Sequence, residues 1–228
     1  MIDQEVIVFS AARTGSTFIW QCLSQVFKKA HKAHSGDASN LLQRQLPCII
    51  TERNRVEAFL SRVRVLRFKQ LSSEEFIDKL DKQLTLDFSA PFRTGMHQDI
   101  DDYLLELHTV EYLKHCYRGK KLILQYEKFF NNYDYIFENI EAFFDIRLPR
   151  ELADQIVLTT NLGINEERQG QFKNFDSHCD QSLIHGKHII SGEPDFYKNI
   201  IKAENYSRLH DMLWKNVDDW KKLYKVEQ

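Results

Sequence analysis
The sequence predicts an α/β fold in which a parallel sheet of about four or five strands is flanked by helices. Two observations carry this expectation. Three short β-rich runs, at 5–10, 47–51 and 121–126, each lead into a helical pattern instead of a hairpin turn. Chains that alternate strand and helix close into parallel sheets with both faces covered, which makes three layers. No internal repeat or composition break divides the chain, so 1–228 reads as one domain.

In chain order, the first strand carries Val6, Ile7, Val8 and Phe9 and ends at Ser10. Small residues follow, then Phe18, Cys22, Leu23, Val26 and Phe27 recur at helical spacing. After the second run, Val56, Phe59, Leu60, Val63 and Leu66 form one apolar helix stripe. Residues 72–117 read as helices interrupted by a loop over 88–99, and the acceptor side is expected there. The third run, Lys121 to Tyr126, feeds another helix. Near the C-terminus Tyr206, Leu209, Leu213, Trp214, Val217, Trp220 and Tyr224 recur as the face of a helix packed on the domain.

Composition narrows the function classes. Across 228 residues, 31 Lys+Arg against 33 Asp+Glu leave a formal charge of −2, which argues against a nucleic-acid polycation or an acidic tail protein. With 43% hydrophobic residues and only 8 Gly and 4 Pro, the chain has the material for a sizeable core. Cys22, Cys48, Cys116 and Cys179 contain no C-x-x-C pair, so a zinc ribbon or secreted disulfide framework is not indicated and a reducing compartment is expected. There is no signal-peptide pattern and no run approaching the ~18 apolar residues of a membrane span. The expectation is a soluble, cytoplasmic protein with no membrane partner.

The loop after the first strand carries the chemistry. Small residues between a buried strand and a helix let backbone N–H groups converge on an anion, and the helix N-terminus adds partial positive charge. Ala11-Ala12-Arg13-Thr14-Gly15-Ser16-Thr17 has that character, so the expected domain is P-loop-like. It is not G-x-x-x-x-G-K-[ST], because Gly15 is followed by Ser16 and Thr17 and the basic residue, Arg13, precedes the glycine. A magnesium-ATP kinase site is therefore disfavoured, although a divergent nucleotide kinase is the first alternative. At these positions the chain resembles the sulfotransferase family, whose loop of the form Pro-Lys/Arg-Ser-Gly-Thr-Thr binds the 5′-phosphosulfate end of 3′-phosphoadenosine 5′-phosphosulfate. Ala12 stands where that pattern has proline, and Arg13 takes its basic position.

Three further segments extend the resemblance, in order, to about residue 199. Arg53 at a strand end and Ser61 eight residues later match the family's 3′-phosphate signature; an arginine fork and a hydroxyl share one phosphate well. At ~100° per residue Ser61 also falls outside the Val56-Phe59-Leu60-Val63 stripe. Tyr126 and Glu127 resemble the segment whose tyrosine lies against adenine, with Lys128 in place of its aspartate. Lys187 and His188, with Gly192 and Phe196-Tyr197-Lys198-Asn199, are similar to the late basic segment that closes over the 3′-phosphate. The resemblance implies a cofactor-binding set of Arg13, Thr14, Gly15, Ser16, Thr17, Phe18, Arg53, Ser61, Tyr126, Lys187 and His188. Phe18 reads equally as a stacking platform for adenine and as the start of the apolar helix face.

The resemblance also implies sulfuryl transfer to an acceptor hydroxyl or amine, without a metal. Arg13, Lys32 and His34 are the expected catalytic residues. Lys32-Ala33-His34 resembles the family's Lys-Thr-His segment, and in an extended strand Lys32 and His34 share a side while His31 faces the other. An imidazole with an ordinary pKa near ~6.5 suits a general base at neutral pH. His31 and His34 read also as surface histidines, and Asp37 is the carboxylate alternative for the base. Arg55, Arg62 and Lys69, with Arg64 and Arg67, form a basic helix stripe that is either solvated or turned to an anionic partner. A non-catalytic nucleotide-binding module would need only Arg13, Arg53 and Ser61. The acceptor, whether glycan, peptide or small molecule, is not legible.

Overall fold
The computed structural model describes residues 1–34, 43–173, 177–179, 181–186, 189, 192–215 and 219–225. Its centre is a four-stranded, all-parallel sheet of β1 (Ile2–Ser10), β2 (Phe27–Ala33), β3 (Cys48–Glu52) and β4 (Lys121–Gln125), in the order β2-β1-β3-β4. The expected α/β class and strand number hold. Because β2 lies on one side of β1 and β3 on the other, the chain reverses its winding beside the C-terminal end of β1. In open parallel sheets such a switch point is where ligands sit.

Side-chain alternation on β1 explains the three layers. Ile7 and Phe9 face one core with α2 (Arg55–Arg67), α3 (Ser73–Ser89), α4 (Gly95–Cys116) and the C-terminal α9 (Ala203–Lys215). Val6 and Val8 face a second core with α1 (Ser16–Val26), α6 (Tyr133–Phe144) and α7 (Arg150–Thr160). Both sets are fully buried, as a strand covered on both faces requires. The remaining elements are α5 (Tyr126–Phe129), α8 (Leu162–Gly170), a two-stranded antiparallel hairpin of His178–Cys179 and Ile184–His185, a 3₁₀ turn at Tyr197–Asn199, and α10 (Trp220–Leu223).

Helix starts follow ordinary cap chemistry. The Asn54 side chain accepts from the Val56 and Glu57 amides, and Ser72 and Glu75 form a reciprocal box at the start of α3. Three sequence expectations are corrected. Phe27 does not continue the helix but opens β2, where its ring packs against Phe144. The interruption between α3 and α4 is shorter than 88–99, since helix resumes at Gly95. The basic stripe of α2 is drawn against α4: Arg55 pairs with Glu111, Arg62 with Glu106 and, at the exposed end, Arg67 with Asp99, while Arg64 is buried over the Phe76 ring. Facing acids on α4 hold those heads. The C-terminal stripe divides between α9 and α10, and Val217 lies outside the described residues.

Phe59, fully buried against Tyr103 at the centre of the first core, is the natural probe of this arrangement. Phe59→Ala is expected to cost about 3–5 kcal/mol of folding stability, read from urea unfolding.

Candidate functional site
The loop between β1 and α1 is shaped for close approach. Gly15 has φ 82° and ψ 11°, and a methyl group there would meet the Phe129 ring at 2.7 Å and the Tyr126 ring at 2.8 Å. Only glycine satisfies both the dihedral and the space. No side chain caps α1, and its first turn holds no acid, so the amides that open the helix present an undiluted positive end. Thr14 is buried, and its hydroxyl is used internally, donating to Ala11 O at 3.1 Å and sharing a 2.7 Å bond with Thr51. What Thr14 can offer a ligand is backbone. Arg13 has φ 70°, a left-handed conformation that an arginine adopts only under constraint.

A cavity of about 300 Å³ opens over this loop at the winding reversal. Arg13, Gly15, Ser16, Thr17 and Phe18 line it from the loop and α1, Lys32 and His34 from the end of β2, Arg53 and Ser61 from the end of β3 and from α2, and Tyr126 from α5. Residues separated by more than a hundred positions thus meet in one space. Lys187, His188 and Asp37 lie outside the described residues.

Within the cavity, Arg13 Nε donates to Ser61 Oγ at 3.0 Å, joining the loop to α2. Burial and the nearby Arg53 bring the Arg13 pKa down to about 10, opposed by Tyr197 and Tyr126. Arg53 lies with its guanidinium 4.4 Å from the Tyr126 ring centroid and donates through Nη2 to Glu193 O at 3.2 Å, while its buried Nε meets no hydrogen-bond partner among the described residues. The Tyr126 hydroxyl donates to Gly192 O. Phe18 packs against Phe129 and Tyr133 yet keeps a surface in the cavity, so core and lining are both true of it.

On β2 the register pairs Val8 with Lys32 and Ile7 with His31. Lys32 and His34 therefore project together, and His31 turns the other way to meet Glu5 at 3.0 Å. Loss of solvent, reinforced by Arg13, brings the Lys32 pKa down to about 8. His34 Nδ1 lies 3.1 Å from the Ser10 carbonyl. A carbonyl only accepts, so Nδ1 is the donor in this contact.

Sequence reasoning missed two contributors, Glu57 and Glu106, and read a third, Tyr197, only as part of the late segment. Glu57, one turn beyond Arg53, is fully buried and accepts from the Tyr197 and Lys198 amides at 3.0 and 2.9 Å. Burial raises its pKa, and those two donors with Arg53 oppose the rise. It ties the 3₁₀ turn down over the cavity. Tyr197, whose hydroxyl bonds with Ser61, is pushed up to about 12 chiefly by burial. Glu106 accepts the Ala12 amide at 2.7 Å, using the N–H that a proline at that position would lack. An acid one turn after Arg53 was the only sequence signal for Glu57; none existed for Glu106.

No family model matches the chain, and no curated protein matches it in sequence. Solved structures do match. Mouse sulfotransferase SULT7A1 complexed with PAP superposes with a TM-score of 0.57 at 13% identity, over 99% of this chain and 89% of that one. Retinol dehydratase in complex with androsterone and inactive cofactor PAP superposes with a TM-score of 0.58 at 13% identity, over 94% and 81%. The fold is the sulfotransferase fold. Among the described residues, no three His, Cys, Asp or Glu side chains gather as metal ligands, and no helix is long and apolar enough to cross a membrane.

Lys32 gives the site a pH signature. Its folded pKa near 8 lies below the ordinary 10.5, so between those values the unfolded chain binds more protons and stability rises with pH; below about 8 the penalty is complete. Lys32→Met should unfold at higher urea than the parent at pH 7, and should lose the part of the upward slope between pH 8 and 10.5 that Lys32 supplies.

Proposed function
We propose that this chain is a sulfotransferase that moves the sulfuryl group of 3′-phosphoadenosine 5′-phosphosulfate to an acceptor hydroxyl or amine. One observation carries the reading: the bond from Arg13 to Ser61 joins the phosphate loop and the Arg53–Ser61 pair in a single cavity, beside Lys32 and His34. The site has the chemistry of a polyanion cradle with two poles. One pole is the open N-terminus of α1 with the amides of 14–17 and Arg13; the other is Arg53, with its unmatched buried Nε, and Ser61. The aromatic surface of Phe18 and Tyr126 suits a base between them.

The donor supplies the sulfuryl group and a phosphate leaving group that needs no protonation at neutral pH. In this reading His34 takes the acceptor's proton at Nε2, and its Nδ1–H contact to Ser10 O fixes that tautomer. Lys32 and Arg13 offset charge on the transferring group and the departing oxygen, and Arg13 acts as a fixed charge and not as an acid. As the new bond from the acceptor to sulfur forms, the bridging S–O bond breaks and its electron pair stays on the phosphate. The product nucleotide is 3′,5′-diphosphoadenosine. The acceptor belongs to no narrower class than a glycan, peptide or small molecule bearing a nucleophilic O or N.

Calorimetric titration with 3′,5′-diphosphoadenosine in EDTA, with ADP as control, tests the reading. A preference of roughly 10- to 100-fold for the 3′-phosphorylated nucleotide is expected, the scale of one or two charged hydrogen bonds, and Arg53→Ala should abolish it. Equal binding of the two nucleotides, or binding that needs magnesium, would place the chain with the nucleotide kinases instead. His34→Ala should keep the nucleotide affinity within about threefold while transfer of labelled sulfate across a panel of hydroxyl and amine acceptors falls by roughly 10²–10⁴. Loss of binding with unchanged turnover would assign His34 a structural role.

A further inference from the structure
We infer that Glu106 is a positioning residue of the phosphate loop: by clamping the Ala12 amide it holds Arg13 in the left-handed conformation that aims its guanidinium into the cavity. This rests on the sulfotransferase reading above. A non-glycine residue stays at φ 70° only where its surroundings over-determine it. Both sequence neighbours of Arg13 are held from elsewhere in the chain. On one side Thr14 is tied through its hydroxyl to Ala11 O and to Thr51 on β3. On the other, the Ala12 N–H donates 2.7 Å to Glu106 Oε2 across 94 positions of sequence. With the two flanking peptides fixed, the turn through Arg13 has little freedom left.

A carboxylate behind an anion-binding loop is otherwise a liability, since it repels the ligand the loop collects. Here its charge is offset. Glu106 Oε1 lies 3.3 Å from Arg62 Nη2, and the Arg62 guanidinium is itself placed over the Tyr103 ring and within reach of Asp99 O. Glu106 is set behind the loop and not among the groups that line the cavity, whereas Ala12 does line it. The carboxylate thus acts on the ligand only through the loop.

The test is calorimetric titration with 3′,5′-diphosphoadenosine of the parent, Glu106→Ala, Glu106→Gln and the double variant Glu106→Ala/Ala12→Pro, with thermal melting in parallel. Glu106→Ala should bind about tenfold more weakly, since the freed amide lets the loop relax. Removing a negative charge near the site would by itself tighten a polyanion, so a loss reports the clamp. Glu106→Gln, which retains an accepting oxygen, should stay within about threefold of the parent. The double variant should recover to about the same level, because proline has no N–H to leave unpaired and fixes its own φ. A merely structural loss would show in the melting temperature of all three variants and would not be repaired by proline. Unchanged affinity in Glu106→Ala, or a loss that neither partner variant repairs, overturns the inference. If Glu106→Ala does not fold, the double variant decides alone: affinity within threefold of the parent supports the clamp, and a loss beyond tenfold overturns it. Failure of the parent to bind overturns this inference together with the sulfotransferase reading, whereas parent binding with an unaffected Glu106→Ala overturns the clamp only.

Discussion
Three cations gathered where water is scarce are the constraint on which this structure turns. Arg13, Lys32 and Arg53 project from three neighbouring strand ends into one cavity, and burial, with the repulsion of Arg53 on Arg13 and of Arg13 on Lys32, draws Arg13 and Lys32 below their ordinary pKa values. The nearest buried acid, Glu57, is occupied by the Tyr197 and Lys198 amides and sits 3.9 Å from Arg53, too far for a tight pair. Such an arrangement destabilises the folded chain and is tolerated because two hydrophobic cores grip the sheet from both faces. Its natural relief is an anion.

The surroundings are organised to keep that charge in place. Among the described residues, three acids close by are committed elsewhere: Glu106 to Ala12 and Arg62, Glu111 to Arg55 and Lys114, and Glu127 to the Asn54 amide. The segment from Gly192 to Asn199 is fastened across the cavity by Tyr126, Arg53 and Glu57, each of which makes a hydrogen bond to its backbone. Backbone contacts of this kind place a segment without depending on its side chains. Behind it, Asp81 on α3 accepts from the Lys202 amide and the Asn205 side chain, which seats α9 and so carries the tension of the strap into the first core.

Much of this was legible in the sequence, and for identifiable reasons. Strands β1 and β3 carry continuous apolar runs, the mark of burial on both faces; β4 was legible from Leu122-Ile123-Leu124 although it lies at the sheet edge, and the loop after β1 carries its small residues in a row. Arg53 and Ser61 were legible because their spacing is local. Strand β2 was visible only as an extended segment around Lys32, since Phe27-Lys-Lys-Ala-His-Lys-Ala has little apolar content and gains its place at the sheet edge by pairing with β1. The α2 stripe was misleading because helical periodicity shows which residues share a face but not what stands opposite, and here the opposite face is acidic α4. Glu106 and Glu57 were invisible for the same reason: their partners are backbone amides 94 and about 140 positions away.

The pairing of β2 with β1 also has a consequence for how this chain can vary. Lys32 and His34 reach the cavity because Lys32 stands beside Val8, while the adjacent pair, Ile7 with His31, faces the other layer. The strand therefore works as a parity lock. The strand follows α1 directly, Val26 to Phe27, so gaining or losing two residues at that junction slides the edge strand yet returns a side chain of the same parity to the cavity. A change of one residue delivers His31 and Ala33 in place of Lys32 and His34, and it also turns Phe27 away from the core that it shares with Phe144, so the chemistry and the packing oppose it together. The register of this edge is thus guarded twice, by the aromatic pair at its start and by the cavity at its end.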